Sequence, residues 1–119
     1  MKRKQNFDAF LLKSRQELGA AIERLEQEGR QDEANLNKVR LNIVTVFETV
    51  ANADLRAAGS QDWEAFANRY QPRFASLSAP WRAKLEAARR HGDVSATAVE
   101  EAKIETAVRI EAAFHKAKG

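Results

Sequence analysis

The chain has no cysteine in its 119 residues, which excludes disulfides, thiolate metal sites, iron–sulfur clusters and thiol nucleophiles. Prolines number two, Pro72 and Pro80, and glycines five, so neither disorder nor a loop-rich all-β fold is indicated. Long apolar runs are also missing. Even "LNIVTVF" is bounded by Arg40 and Glu48, far short of the roughly 18 residues a membrane-spanning helix needs. The basic start "MKRKQNFDAFLLKSRQEL" has the charge of a signal peptide, but its longest apolar stretch is Ala9 to Leu12 and no small-residue cleavage site follows. The expectation is a soluble, cytoplasmic protein. No Gly-rich phosphate loop, zincin motif or serine–histidine–carboxylate set in a strand–turn–helix setting is present, so no catalytic residue or cofactor is assigned.

What the chain does have is helix-forming sequence: 22 alanines beside abundant Glu, Arg, Lys, Leu and Gln. Hydrophobic content of 44% in a chain of this length suffices for one domain over residues 1–119. The net charge of +3 is too small to imply a polyanionic partner, but it is unevenly spread. Residues 1–15 carry +4, 16–64 carry −5, 65–92 carry +5 and 93–119 carry −1. Residues 1–5 read as a basic, flexible tail.

Glycines at 29, 59, 92 and 119 divide the chain into four similar segments. The three internal ones open the loops "GRQD", "GSQD" and "GDVS", each joining a helix stop to an N-capping Asp or Ser. Short connections between long helices predict an all-α, up-down-up-down four-helix bundle. "GRQDEAN" and "GSQDWEAFAN" resemble each other, but the segments do not match outside the loops, so shared capping chemistry explains the likeness better than duplication.

The first helix is predicted from 6 or 8 to 28, with Phe7, Leu11, Ser14, Leu18, Ala21, Ile22 and Leu25 as its apolar stripe. The second, 32–58, has a wide apolar arc that includes Leu36, Val39, Ile43, Val44, Phe47, Val50 and Ala51, enough for two neighbours. Its polar stripe, Asn35, Asn42 and Thr49, is either a solvated face or a hydrogen-bonding surface for a partner helix. The last helix, from Ser95, places Val99, Ala102, Thr106, Ile110, Ala113 and Ala117 on one seam and Ile104 and Val108 on the opposite side. That second apolar face predicts a homodimer or another protein partner.

The third segment poses the sharpest question. Trp63, Phe66, Tyr70, Phe74, Leu77 and Trp81 fall on one stripe, while Arg69, Arg73, Arg82, Arg89 and Arg90 lie off it. A single-strand nucleic-acid binder interleaves exposed aromatics with its arginines, so this separation favours a buried aromatic seam with a wet basic face. Two prolines interrupt it. Each costs a helix about 3 kcal/mol, and a kink or split at Pro72 or Pro80 is predicted, giving 62–77 and then 79 or 80 to 91 with Ser78 as a fresh N-cap.

The histidines offer little chemistry. Glu111 and His115 are four apart, as are Glu101 and Glu105, but a dinuclear carboxylate bundle needs Glu-x-x-His pairs from two helices. No metal site is assigned, and His91 is placed at a helix end. The resulting expectation is a non-enzymatic protein–protein interaction or oligomerisation module, with Ile104, Val108, Asn35, Asn42 and Thr49 as interface candidates. The alternative is nonspecific nucleic-acid binding through blocks 1–15 and 65–92, with Arg69, Arg73, Arg82, Arg89 and Arg90 on phosphates.

Overall fold

Four helices form where the periodicity places them, and glycine ends three of them. The computed structural model describes residues 2–59 and 62–118. It contains α1 (Lys2–Gln27), α2 (Gln31–Ala58), α3 (Trp63–Arg90) and α4 (Val94–Lys118), with no strand among the described residues. None of these helices is long and apolar enough to cross a membrane. Ser60 and Gln61 of "GSQD", and Gly119, lie outside the described residues.

Gly29 and Gly92 take φ of +74° and +65°, a region other residues rarely enter. Each allows the same closure. After α1, the Arg30 N–H donates to the Leu25 carbonyl at 2.9 Å and Gly29 to Glu26 at 3.1 Å; after α3, Asp93 donates to Ala88 at 2.9 Å and Gly92 to Arg89 at 3.2 Å. Orphan carbonyls at both helix ends are thereby satisfied. Asp62 caps α3 by accepting from the Ala65 N–H at 3.0 Å, and Asp93 caps α4 by accepting from Ala96 at 3.0 Å. α2 departs from this scheme. Its cap position is Arg30, whose side chain makes no cap bond, and Asp32 stands inside the first turn with Glu33, where both carboxylates complement the helix dipole.

The tail predicted for residues 1–5 is instead the first turn of α1 from Lys2 onward. Lys4 explains the early start. It is 5% exposed, pairs with Asp8 one turn later and lies 5.6 Å from the centroid of the Phe66 ring. An ammonium so placed gains from both the carboxylate and the ring face.

The predicted split of the third helix is corrected: α3 is unbroken from Trp63 to Arg90 and contains both prolines. Asn68, Pro72, Ser76 and Pro80 recur every fourth residue and all are exposed. The two carbonyls that lose an i+4 donor, Asn68 and Ser76, therefore belong to residues on the wet side of the helix, where water can bond them. On the other side Trp63, Phe66, Tyr70 and Phe74 are buried, each worth roughly 1.5–3 kcal/mol, which together match or exceed the penalty of about 3 kcal/mol for each of the two prolines. Ser78 does not cap a new helix. It is buried, and its hydroxyl donates to the Phe74 carbonyl at 2.6 Å within the continuing turn.

The core is aromatic and gathers around Phe114 of α4. That ring lies 5.6 Å from Phe7, 5.6 Å from Trp63, 5.3 Å from Tyr70 and 5.7 Å from Phe74, centroid to centroid. Phe47 of α2 completes the cluster by stacking on Phe74 at 5.0 Å. The seam predicted for the last helix omitted Phe114. Ala102, Thr106 and Ile110 are buried as expected, but the stripe turns towards Ala107 and Phe114, leaving Val99, Ala113 and Ala117 half-buried. α2 packs against all three other helices, one more than its apolar arc suggested. Polar ties run between neighbours: Arg15–Glu48 and Lys38–Glu26 join α1 to α2, Arg73–Asp54 joins α2 to α3, and Arg89–Glu101 joins α3 to α4.

The sole tyrosine, Tyr70, is fully buried and donates its hydroxyl to the Phe47 carbonyl at 2.9 Å. Burial first, then the charges of Asp54 and Asp8, push its phenol above the ordinary value of 10.0. Because the folded value is raised, this contribution to stability is intact below pH ~10 and is lost as pH climbs beyond it. Ultraviolet titration of the phenolate should show no ionisation near pH 10 in native protein and normal ionisation in urea; coincident curves would contradict the burial. In a second measurement, Pro80→Ala should raise unfolding free energy in urea by about 2 kcal/mol, the ~3 kcal/mol helix penalty less up to ~1 kcal/mol of lost chain restriction.

Candidate functional site

Of the aromatic stripe of α3, Trp63, Phe66, Tyr70 and Phe74 are core and Trp81 is half-buried with its ring edge-to-face with Phe47, so no ring stands fully exposed for base stacking. Its arginines divide by partner. Arg73 holds Asp54 with a two-pronged bond, Nε to Oδ2 at 3.1 Å and Nη2 to Oδ1 at 2.9 Å. Asp54 is only 3% exposed, and its bonds and charge raise the Arg73 pKa. That arginine serves the fold. Arg89 pairs with Glu101 at 3.5 Å and Arg90 with Glu86 at 3.4 Å, both at the surface, while Arg69 and Arg82 are exposed without an ion-pair partner among the described residues. The N-terminal basic block reaches α3 at its other end, where Arg3 borders a depression with Trp63, Glu64 and Asn68. From Glu64 to Arg82 is about 27 Å along a helix, so Arg3 and the Arg82–Arg90 group are far apart.

The remaining sequence candidates scatter. Asn35 accepts from Gln31 at 2.7 Å, and Asn42 and Thr49 are exposed, as on a solvated face. Ile104 is half-buried within the molecule, whereas Val108 remains 50% exposed. Glu111 accepts from Gln71 at 3.1 Å and lies 3.7 Å from His115, and Glu101 is taken by Arg89. Among the described residues no group of three or more potential metal ligands comes together. His91 follows the last turn of α3, as the sequence suggested.

Two concavities were not foreseen. The first, about 230 Å³, lies between α1, α2 and α4. Phe10, Leu18, Ala21, Val44 and Ile110 give it apolar walls; Ser14, Asn37, Thr106, Arg40, Arg109 and Glu17 give it polar ones. Arg40 donates to Asn37 Oδ1 at 2.7 Å, and neither Arg40 nor Arg109 has a carboxylate within ion-pair distance among the described residues. The second is an open groove of about 420 Å³ at the N-terminal ends of α2 and α4, lined chiefly by Leu36, Val39, Val94, Ala98 and Val99. The aromatic cluster fills the opposite end of the molecule, while the end at the α1–α2 and α3–α4 turns buries smaller side chains, among them Ile22, Leu25, Ala34, Ala88 and Ala102. Ser14 and Thr106 stood inside apolar stripes of the sequence, which was the available sign of the first concavity.

Comparison with protein-family models, with curated proteins and with solved structures finds no match for this chain. The site is therefore read from its own chemistry.

Removal of Arg73 should be costly because it leaves the Asp54 carboxylate buried and uncompensated. Arg73→Met is expected to lower the urea midpoint clearly, whereas Arg82→Met, at an exposed and unpaired arginine, should leave it close to wild type. Equal midpoints for the two variants would remove the structural role of Arg73.

Proposed function

We propose that the protein is a non-enzymatic interaction module, an up-down-up-down four-helix bundle that associates with a second copy of itself. The bundle order is supported by the polar ties: Arg15–Glu48 with Lys38–Glu26, and Gln71–Glu111 with Arg89–Glu101, pair rising numbers on one helix with falling numbers on the next. The observation that carries the association is Val94. It is 81% exposed at the edge of the apolar groove formed with Leu36, Val39, Ala98 and Val99. An apolar helix face lying in such a groove is a familiar mode of helix recognition, and a two-fold pair would seal both grooves at once. Val108, further along α4, extends the apolar surface that the sequence assigned to Ile104 and Val108.

The proposed setting is the cytoplasm. Nucleic-acid binding is the weaker reading, because Arg73 is committed to Asp54 and four of the five rings of α3, all but the half-buried Trp81, are buried. Sedimentation equilibrium should find a concentration-dependent dimer that Val94→Arg shifts to monomer. A second variant, Ile104→Arg with Val108→Arg, tells whether the outer side of α4 contributes. A monomer at every concentration, in wild type and variants alike, would end the proposal.

A further inference from the structure

The concavity between α1, α2 and α4 joins apolar walls to guanidinium groups that no carboxylate among the described residues claims. Its walls are apolar on α1 (Phe10, Leu18), α2 (Val44) and α4 (Ile110), yet two cations, Arg40 and Arg109, border it. The nearest anion in the lining is Glu17, whose only ion-pair partner among the described residues is Lys13 at 3.8 Å, outside the cavity lining. Arg40 is half-buried and uses one N–H on Asn37 Oδ1, which orients its guanidinium and leaves other donors unspent. The same bond uses one lone pair of the Asn37 carbonyl and leaves its amide N–H donors free. Thr106 is 7% exposed and its hydroxyl proton is already given to the Ala102 carbonyl at 2.7 Å. Thr106 Oγ1 can then only accept, but donors remain on Arg40, Arg109, Asn37 and Ser14, and the two guanidinium groups suit an anionic acceptor. A planar carboxylate fits guanidinium forks better than any neutral head.

We infer that this cavity is a binding site for a small monocarboxylate with a compact apolar body. The carboxylate lies between Arg40 and Arg109, and the apolar body packs on Phe10, Leu18, Val44 and Ile110. Size limits the class. At about 230 Å³ the space falls below the usual drug-sized range of ~300–1,000 Å³. Glu17 and Arg109 are the two exposed charges of the lining. Glu17 in that position disfavours dianions. This site uses none of the residues proposed for self-association, so the two readings stand or fall separately.

The test is a titration of ¹⁵N-labelled full-length protein with hexanoate, with hexanamide, acetate and inorganic phosphate as parallel probes. Hexanoate should bind saturably in the millimolar range or tighter, with shifts concentrated in residues of α1, α2 and α4 around the cavity. Hexanamide, acetate and phosphate should each bind at least tenfold more weakly. Arg40→Met and Arg109→Met should each weaken hexanoate about tenfold while thermal unfolding confirms that the variants fold, and Arg40→Lys should restore part of the loss. If Arg40→Met does not fold, Arg109→Met alone decides, since Arg109 is exposed. Equal binding of hexanamide would overturn the carboxylate, equal binding of phosphate would overturn the apolar body, and absent or scattered shifts with hexanoate would overturn the site.

Discussion

Phe114 is the side chain on which the rest of the packing depends, because its ring meets partners from α1 and α3 at once. Edge-to-face contacts dominate there: Phe7 and Tyr70 both present ring planes about 70° to Phe114. Such geometry sets a positive ring edge against a negative face and fixes orientation as well as distance, unlike an aliphatic contact. Four helices that each bring one or more rings to this point have few ways to slide. α2 joins through Phe47, which stacks on Phe74 and lends its carbonyl to the Tyr70 hydroxyl.

A core concentrated at one end leaves the other end thinly filled. Between the α1–α2 and α3–α4 turns the buried residues are smaller, and the helices there expose Leu36, Val39 and Val99 in part. The groove is thus a by-product of where the aromatics are, and the carboxylate cavity lies between this end and the cluster. Polar residues within apolar stripes mark it, since Ser14 and Thr106 are too small to fill the space that larger apolar side chains would occupy.

Much of the fold was legible in the sequence because helical periodicity and glycine stops are local signals. Tyr70 and Phe74 follow Phe66 at steps of four, and Gly29, Gly59 and Gly92 stand at helix ends. The continuity of α3 was not legible. Proline's penalty is a local quantity, but whether it breaks a helix depends on burial of the opposite face, which only the assembled structure reveals. Phe114 was missed for a related reason: a straight seam through Ile110 continues as readily to Ala113 and Ala117, and the choice is made by the rings waiting on α1 and α3. The site was least legible. Arg40 and Arg109 are 69 positions apart, and nothing local distinguishes them from solvated arginines.

The prolines of α3 have an effect beyond the helix that carries them. On the outer ridge formed by Asn68, Pro72, Ser76 and Pro80, two carbonyls lack the amide that would ordinarily claim them. Any surface laid over that ridge must bring donors of its own or leave those oxygens dehydrated, at a few kcal/mol each. The ridge therefore acts as a standing deterrent to casual contact. The molecule therefore carries two kinds of surface, a ridge on α3 that holds its water and a groove between α2 and α4 that gains by losing it.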